Sequence, residues 1–92
     1  MDKKDIYTTI QHLIQDGFKF YYMRQDKEGA FVVLINSPKI ENFSQKAINI
    51  FNLHGWNVHR VQVYAKEYGA EFEAKFQNLP LDNSTFNCEN IN

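Results

Sequence analysis

Ninety-two residues with a net charge of −1 make one domain and leave no excess of positive charge for gripping a phosphate backbone. The chain is 43% hydrophobic and 23% charged, ordinary for a globular protein, but its 15% aromatic content is more than one small core easily hides. A single cysteine excludes an internal disulfide, and no apolar run nears the ~20 residues of a membrane span, so the expected setting is cytoplasmic and away from membranes.

The opening Met1-Asp2-Lys3-Lys4-Asp5 carries no apolar stretch, so no secretory leader is expected. Ile6, Ile10, Leu13 and Ile14 then recur at helical spacing, which predicts a first helix over 3–16. Asp2 can cap it, Asp5 adds negative charge to its first turn, and Gly17 stops it. Phe18 opens a strand that runs to about Gln25, and Asp26-Lys27-Glu28-Gly29 turns the chain. A second strand, 30–36, returns antiparallel and contains the unbroken apolar run Ala30-Phe31-Val32-Val33-Leu34-Ile35.

Ser37-Pro38 has the composition of a second helix start, and Asn42 with Gln45 offers a later one through a capping box. Ile40, Phe43, Ala47, Ile50, Phe51 and His54 form the apolar stripe, ended by Gly55. Trp56 opens a third strand to about Ala65. Val58 differs in parity from Val61 and Val63, and a bulge near His59-Arg60 reconciles them. After a turn at Lys66-Glu67-Tyr68-Gly69, strand 70–77 alternates: Ala70, Phe72, Ala74 and Phe76 share one side, Glu71, Glu73 and Lys75 the other.

The expected architecture is α+β. Two αββ units in residues 1–77 form a four-stranded, mainly antiparallel sheet in the order 1-2-4-3, with two helices packed on one face. The echo between Lys27-Glu28-Gly29-Ala30 and Lys66-Glu67-Tyr68-Gly69-Ala70 has two readings, shared turn chemistry or an old duplication. Residues 78–92 have no period and are read as an irregular C-terminal arm. It is either frayed or lays Leu79, Leu81 and Phe86 across the sheet.

A strand that is apolar at every position should be covered on both faces. In strand 1, simple alternation puts Phe18, Phe20 and Tyr22 toward the helices and leaves Lys19, Tyr21, Met23 and Gln25 opposite. One alternate set of strand 2 is left beside them. With Phe31, Val33 and Ile35 as that set, the open face carries an apolar patch on the order of a few hundred Å2. The arm, a second copy of the chain or a different protein would cover it.

Catalytic and metal signatures are sparse. His12, His54 and His59 have no Cys or acidic residue at ligand spacing, and Cys88 stands alone in a polar tail. Glu71 and Glu73 are paired carboxylates but lie on a strand face with Lys75 next in line. The four glycines are spread as helix stops and turns and form no phosphate loop. Asn42-Phe43-Ser44 and Asn83-Ser84-Thr85 match the glycosylation sequon by chance in an Asn-rich chain.

The functional expectation is a small non-enzymatic binding protein of the inhibitor, antidote or adaptor type. It would occlude or bridge a protein or nucleoprotein partner and need no cofactor or metal. The same open sheet face would also serve as the interface of a homodimer. Its Asn, Ile and Lys content fits an AT-rich bacterial or phage genome. The contact residues are expected to be Tyr21, Met23, Phe31, Val33 and Ile35, with Arg60 and Tyr64 at the rim. The alternative is a single-stranded nucleic-acid module using sheet aromatics, which Glu71 and Glu73 disfavour. An enzyme with an unrecognised site comes third.

Overall fold

A carboxylate accepting a backbone amide starts the first helix. In a computed structural model that describes residues 5–65, 67–76 and 88–89, Asp5 is extended and its Oδ1 accepts from the amide of Thr8 at 2.8 Å. Helix α1 spans Ile6–Gln15 and buries Ile6, Thr9, Ile10 and Leu13. Asp2 lies outside the described residues, and Asp5 takes the capping role. Ile14, expected on the buried stripe, is exposed, and Thr9 occupies the inner face instead. Its hydroxyl accepts a 3.1 Å hydrogen bond from the indole N–H of Trp56, which makes a polar residue suitable for that interior position.

Four strands follow with one more helix between them: β1 Lys19–Gln25, β2 Phe31–Asn36, helix α2 Phe43–Leu53, β3 Trp56–Ala65 and β4 Gly69–Phe76. A two-residue strand, β5 Cys88–Glu89, comes last. The sheet order is β1-β2-β4-β3-β5. The first four strands are antiparallel in the expected order, and the backbone of β5 pairs parallel with Val61 and Gln62 at the β3 edge. The proposed placement of Leu79, Leu81 and Phe86 across the sheet falls outside the described residues.

Helix α2 begins at the later of its two candidate starts. Ser37 to Ile40 form a turn, in which the Ile40 amide donates to the Ser37 carbonyl. Asn42 occupies the N-cap position in a left-handed conformation without a side-chain cap bond, so the capping box does not form. The helix buries Phe43, Ala47, Ile48, Ile50 and Phe51.

The core lies between these two helices and one face of the sheet. Val33, Ile35, Phe72, Val58 and Val61 are each at most 1% exposed, beneath Leu13, Phe51 and their neighbours. Trp56 is a hub: Phe76 stacks on it at 3.7 Å between ring centroids, and Phe31 meets it edge-on at 5.5 Å.

Two bulges decide which residues share this face. The one in β3 falls between Val58 and Arg60, as the parity change implied. The other, between Phe20 and Tyr22 in β1, has no counterpart in the sequence expectation. It absorbs Tyr21 and reverses the alternation. Phe20 pairs with Ile35 on the core side, Tyr22 then pairs with Leu34 on the opposite side, and Met23 pairs with Val33 back on the core side.

Candidate functional site

The open face follows from the register. One row across the sheet reads Tyr22, Leu34, Glu71, Gln62, and the next reads Arg24, Val32, Glu73, Arg60. No described element packs over them. A second bulge in β3, between Val63 and Ala65, accommodates Tyr64, whose hydroxyl also reaches this face.

This overturns the expected apolar patch. Val33 and Ile35 are fully buried beneath the helices, Phe31 lies half-buried against Trp56, and Met23 packs against the same core. The sequence pattern alone places all four on the open face. The physical reason is that β2 pairs with β4, whose inward set of Ala70, Phe72 and Ala74 forces Ile35, Val33 and Phe31 inward with it. Met23 follows because of the β1 bulge. Tyr21 sits within that bulge at the sheet edge, half exposed. Arg60 and Tyr64 do reach the open face.

What occupies the face is polar and aromatic, with Val32 and Leu34 as its apolar floor. Glu71 is the central acceptor. Both Tyr22 and Tyr64 donate their hydroxyls to it, one to each carboxylate oxygen, Tyr64 at 2.5 Å. Burial, and after it the charge of Glu73, raises the Glu71 carboxyl above its ordinary value of 4.5, while the two hydroxyl donors favour its ionised form. Glu73 is engaged by His59, whose Nε2 lies 3.3 Å from its carboxylate.

Arg24, Val32, Arg60, Gln62, Glu71 and Glu73 line a shallow hollow of about 40 Å3, open to solvent. Tyr22, Arg24 and Gln62 went unassigned from sequence. Gln62 shares the parity of Arg60 and Tyr64 and was legible once the β3 bulge was placed. Tyr22 and Arg24 were hidden by the bulge before them.

Two of the histidines meet between the helices. Nδ1 of His12 is 2.8 Å from Nε2 of His54, tying α1 to the end of α2, while its Nε2 points to Asp16 at 4.0 Å. Among the described residues no three His, Cys, Asp or Glu side chains are grouped to hold an ion, and no helix is long and apolar enough to cross a membrane. Comparison with known protein families, with curated proteins and with solved structures returned no match for this chain.

Proposed function

We propose that the chain is a small non-enzymatic binding protein of the inhibitor, antidote or adaptor type, which engages a protein partner through the open sheet face. The observation that carries this reading is the concentration of Tyr22, Tyr64, Arg24 and Arg60 around an apolar floor on a rigid strand platform. Tyrosine and arginine are the residue types that dominate binding energy at protein interfaces. Tyrosine offers broad contact area with only two rotors to immobilise, and arginine a planar fork of directional donors.

The size of the face constrains the mode of binding. Four strands at ~4.8 Å and about six residues at ~3.3 Å give roughly 400 Å2 in projection, against the ~800 Å2 per partner of a standard interface. A partner therefore extends past the face onto the β1 edge, where Phe20 and Tyr21 are exposed. Nucleic acid is the weaker reading, because the central strand β4 places both Glu71 and Glu73 where a phosphate chain would cross.

The test compares three immobilised full-length chains for what they capture from a cell lysate: the wild type, an open-face variant carrying Tyr22→Ala and Arg60→Glu, and a helix-face control, Tyr7→Ala. The expected result is a protein retained by the wild type and the control and lost with the open-face variant. Identical capture by all three, or capture that nuclease treatment abolishes, overturns the reading.

A further inference from the structure

Of the ten basic side chains in the sequence only two are arginines, Arg24 and Arg60, and both line the same hollow. They come from β1 and β3, 36 positions apart in sequence, and stand in one register row with Val32 and Glu73 between them. Three strand spacings separate their backbones by about 14 Å, so the two long side chains approach each other across the floor.

Neither arginine is neutralised by a described residue. Among the described residues Arg24 makes no hydrogen bond or ion pair, and Arg60 reaches only the side-chain oxygen of Gln62, at 3.4 Å. This is notable because Glu73 is the cross-strand neighbour of Arg60. Its carboxylate is held by His59 instead, and that of Glu71 by two tyrosine hydroxyls. Two planar, permanently charged forks are thus left facing one hollow with donors to spare.

We propose that the hollow receives one carboxylate side chain, a glutamate or aspartate presented by the protein partner, gripped between Arg24 and Arg60. The proposal rests on the reading of the open face as the binding surface. Three features select this ligand. The floor is Val32, an apolar surface suited to the methylenes of an acidic side chain. The cavity is small, about 40 Å3, far below the ~300–1,000 Å3 typical of small-molecule sites, and suits the end of a single inserted side chain. Glu71 and Glu73 border the same space and repel an incoming anion in proportion to its charge, which favours a single monoanion bridging the guanidiniums over a phosphate dianion or a polyanionic strand.

Because the sequence holds two arginines, the 15N spectrum of the full chain contains two Arg Nε–H signals. Propionate, which reproduces the end of a glutamate side chain, is titrated against neutral propionamide, inorganic phosphate and oligo(dT). Propionate should shift both signals along one saturating curve, propionamide should shift neither, and phosphate and oligo(dT) should bind more weakly than propionate. Either Arg24→Gln or Arg60→Gln should weaken propionate by about tenfold or more, the weight of a charge-assisted bond, with the backbone spectrum unchanged. Glu73→Gln should reduce the preference over phosphate. A linear response, a response of one arginine alone, or equal or tighter binding of phosphate or oligo(dT) overturns the carboxylate assignment. If propionate fails while the open-face variant still loses its captured protein, the ligand class is wrong and the binding face stands. If propionate saturates but capture is unchanged in that variant, the docking proposal fails as a whole.

Discussion

Ile35 and Leu34 are adjacent in sequence and lie on opposite faces of β2, so replacing each by alanine tests the register on which the binding face depends. Ile35 is fully buried under the helices. Its truncation removes three carbons, worth about 2.4 kcal/mol of transfer free energy at ~0.8 per carbon. The cavity left behind brings the expected loss to roughly 3–4 kcal/mol. Leu34 is half-buried between Tyr22 and Glu71 with no described layer above it, and its truncation should cost only about 1 kcal/mol.

A domain of this length is stable by about 5–14 kcal/mol, so the first variant loses a large share and the second a small one. Urea titration followed by Trp56 fluorescence should show the midpoint of Ile35→Ala lowered by about 1–3 M, with an unchanged slope. Leu34→Ala should remain close to the wild type. Equal losses, or a larger loss for Leu34, would mean that β2 is turned the other way and would remove the basis for the open face described above.

Three further outcomes follow from the same geometry. Gly29 and Gly69 both have positive φ, but a Cβ at Gly29 meets only a flexible Gln25 side chain, whereas at Gly69 it collides with the backbone carbonyl of Ile35. Gly29→Ala should cost about 1–2 kcal/mol, the left-handed penalty alone, and Gly69→Ala clearly more in the same urea assay. Thr9→Val keeps the shape but leaves the buried Trp56 N–H without its acceptor, so a loss of about 1–3 kcal/mol is expected, with Thr9→Ser close to the wild type.

Acid should act in opposite directions at two carboxylates. The hydrogen bond from the Thr8 amide holds Asp5 below its ordinary value of 3.8, so its stabilising effect is present above that pH and is lost as pH falls through the folded value. Asp5→Asn should flatten this acid limb of the stability curve. Burial raises Glu71, so the folded chain binds that proton more tightly, and its contribution to stability declines as pH rises above 4.5 through the folded value. Glu71→Gln should abolish that decline, and an unchanged profile would contradict the assignment.

Sequence by itself determined the order of elements and the way the chain turns. Helical spacing marked both helices, the glycines marked their ends, and the strict alternation of Ala70 to Phe76 assigned the faces of β4. The order of the four long strands and the β3 bulge were legible for the same reason: local patterns with a defined period carry their own geometry. Only tertiary structure decided which side of β1 and β2 faces water. An unbroken apolar run has no period to read, so Phe31, Val33 and Ile35 took their direction from pairing with β4. One bulged residue at Tyr21 was enough to turn Met23 inward and Tyr22 and Arg24 outward. The convergence of Arg24 and Arg60 likewise required the sheet, because register across strands brings together residues that chain spacing keeps apart.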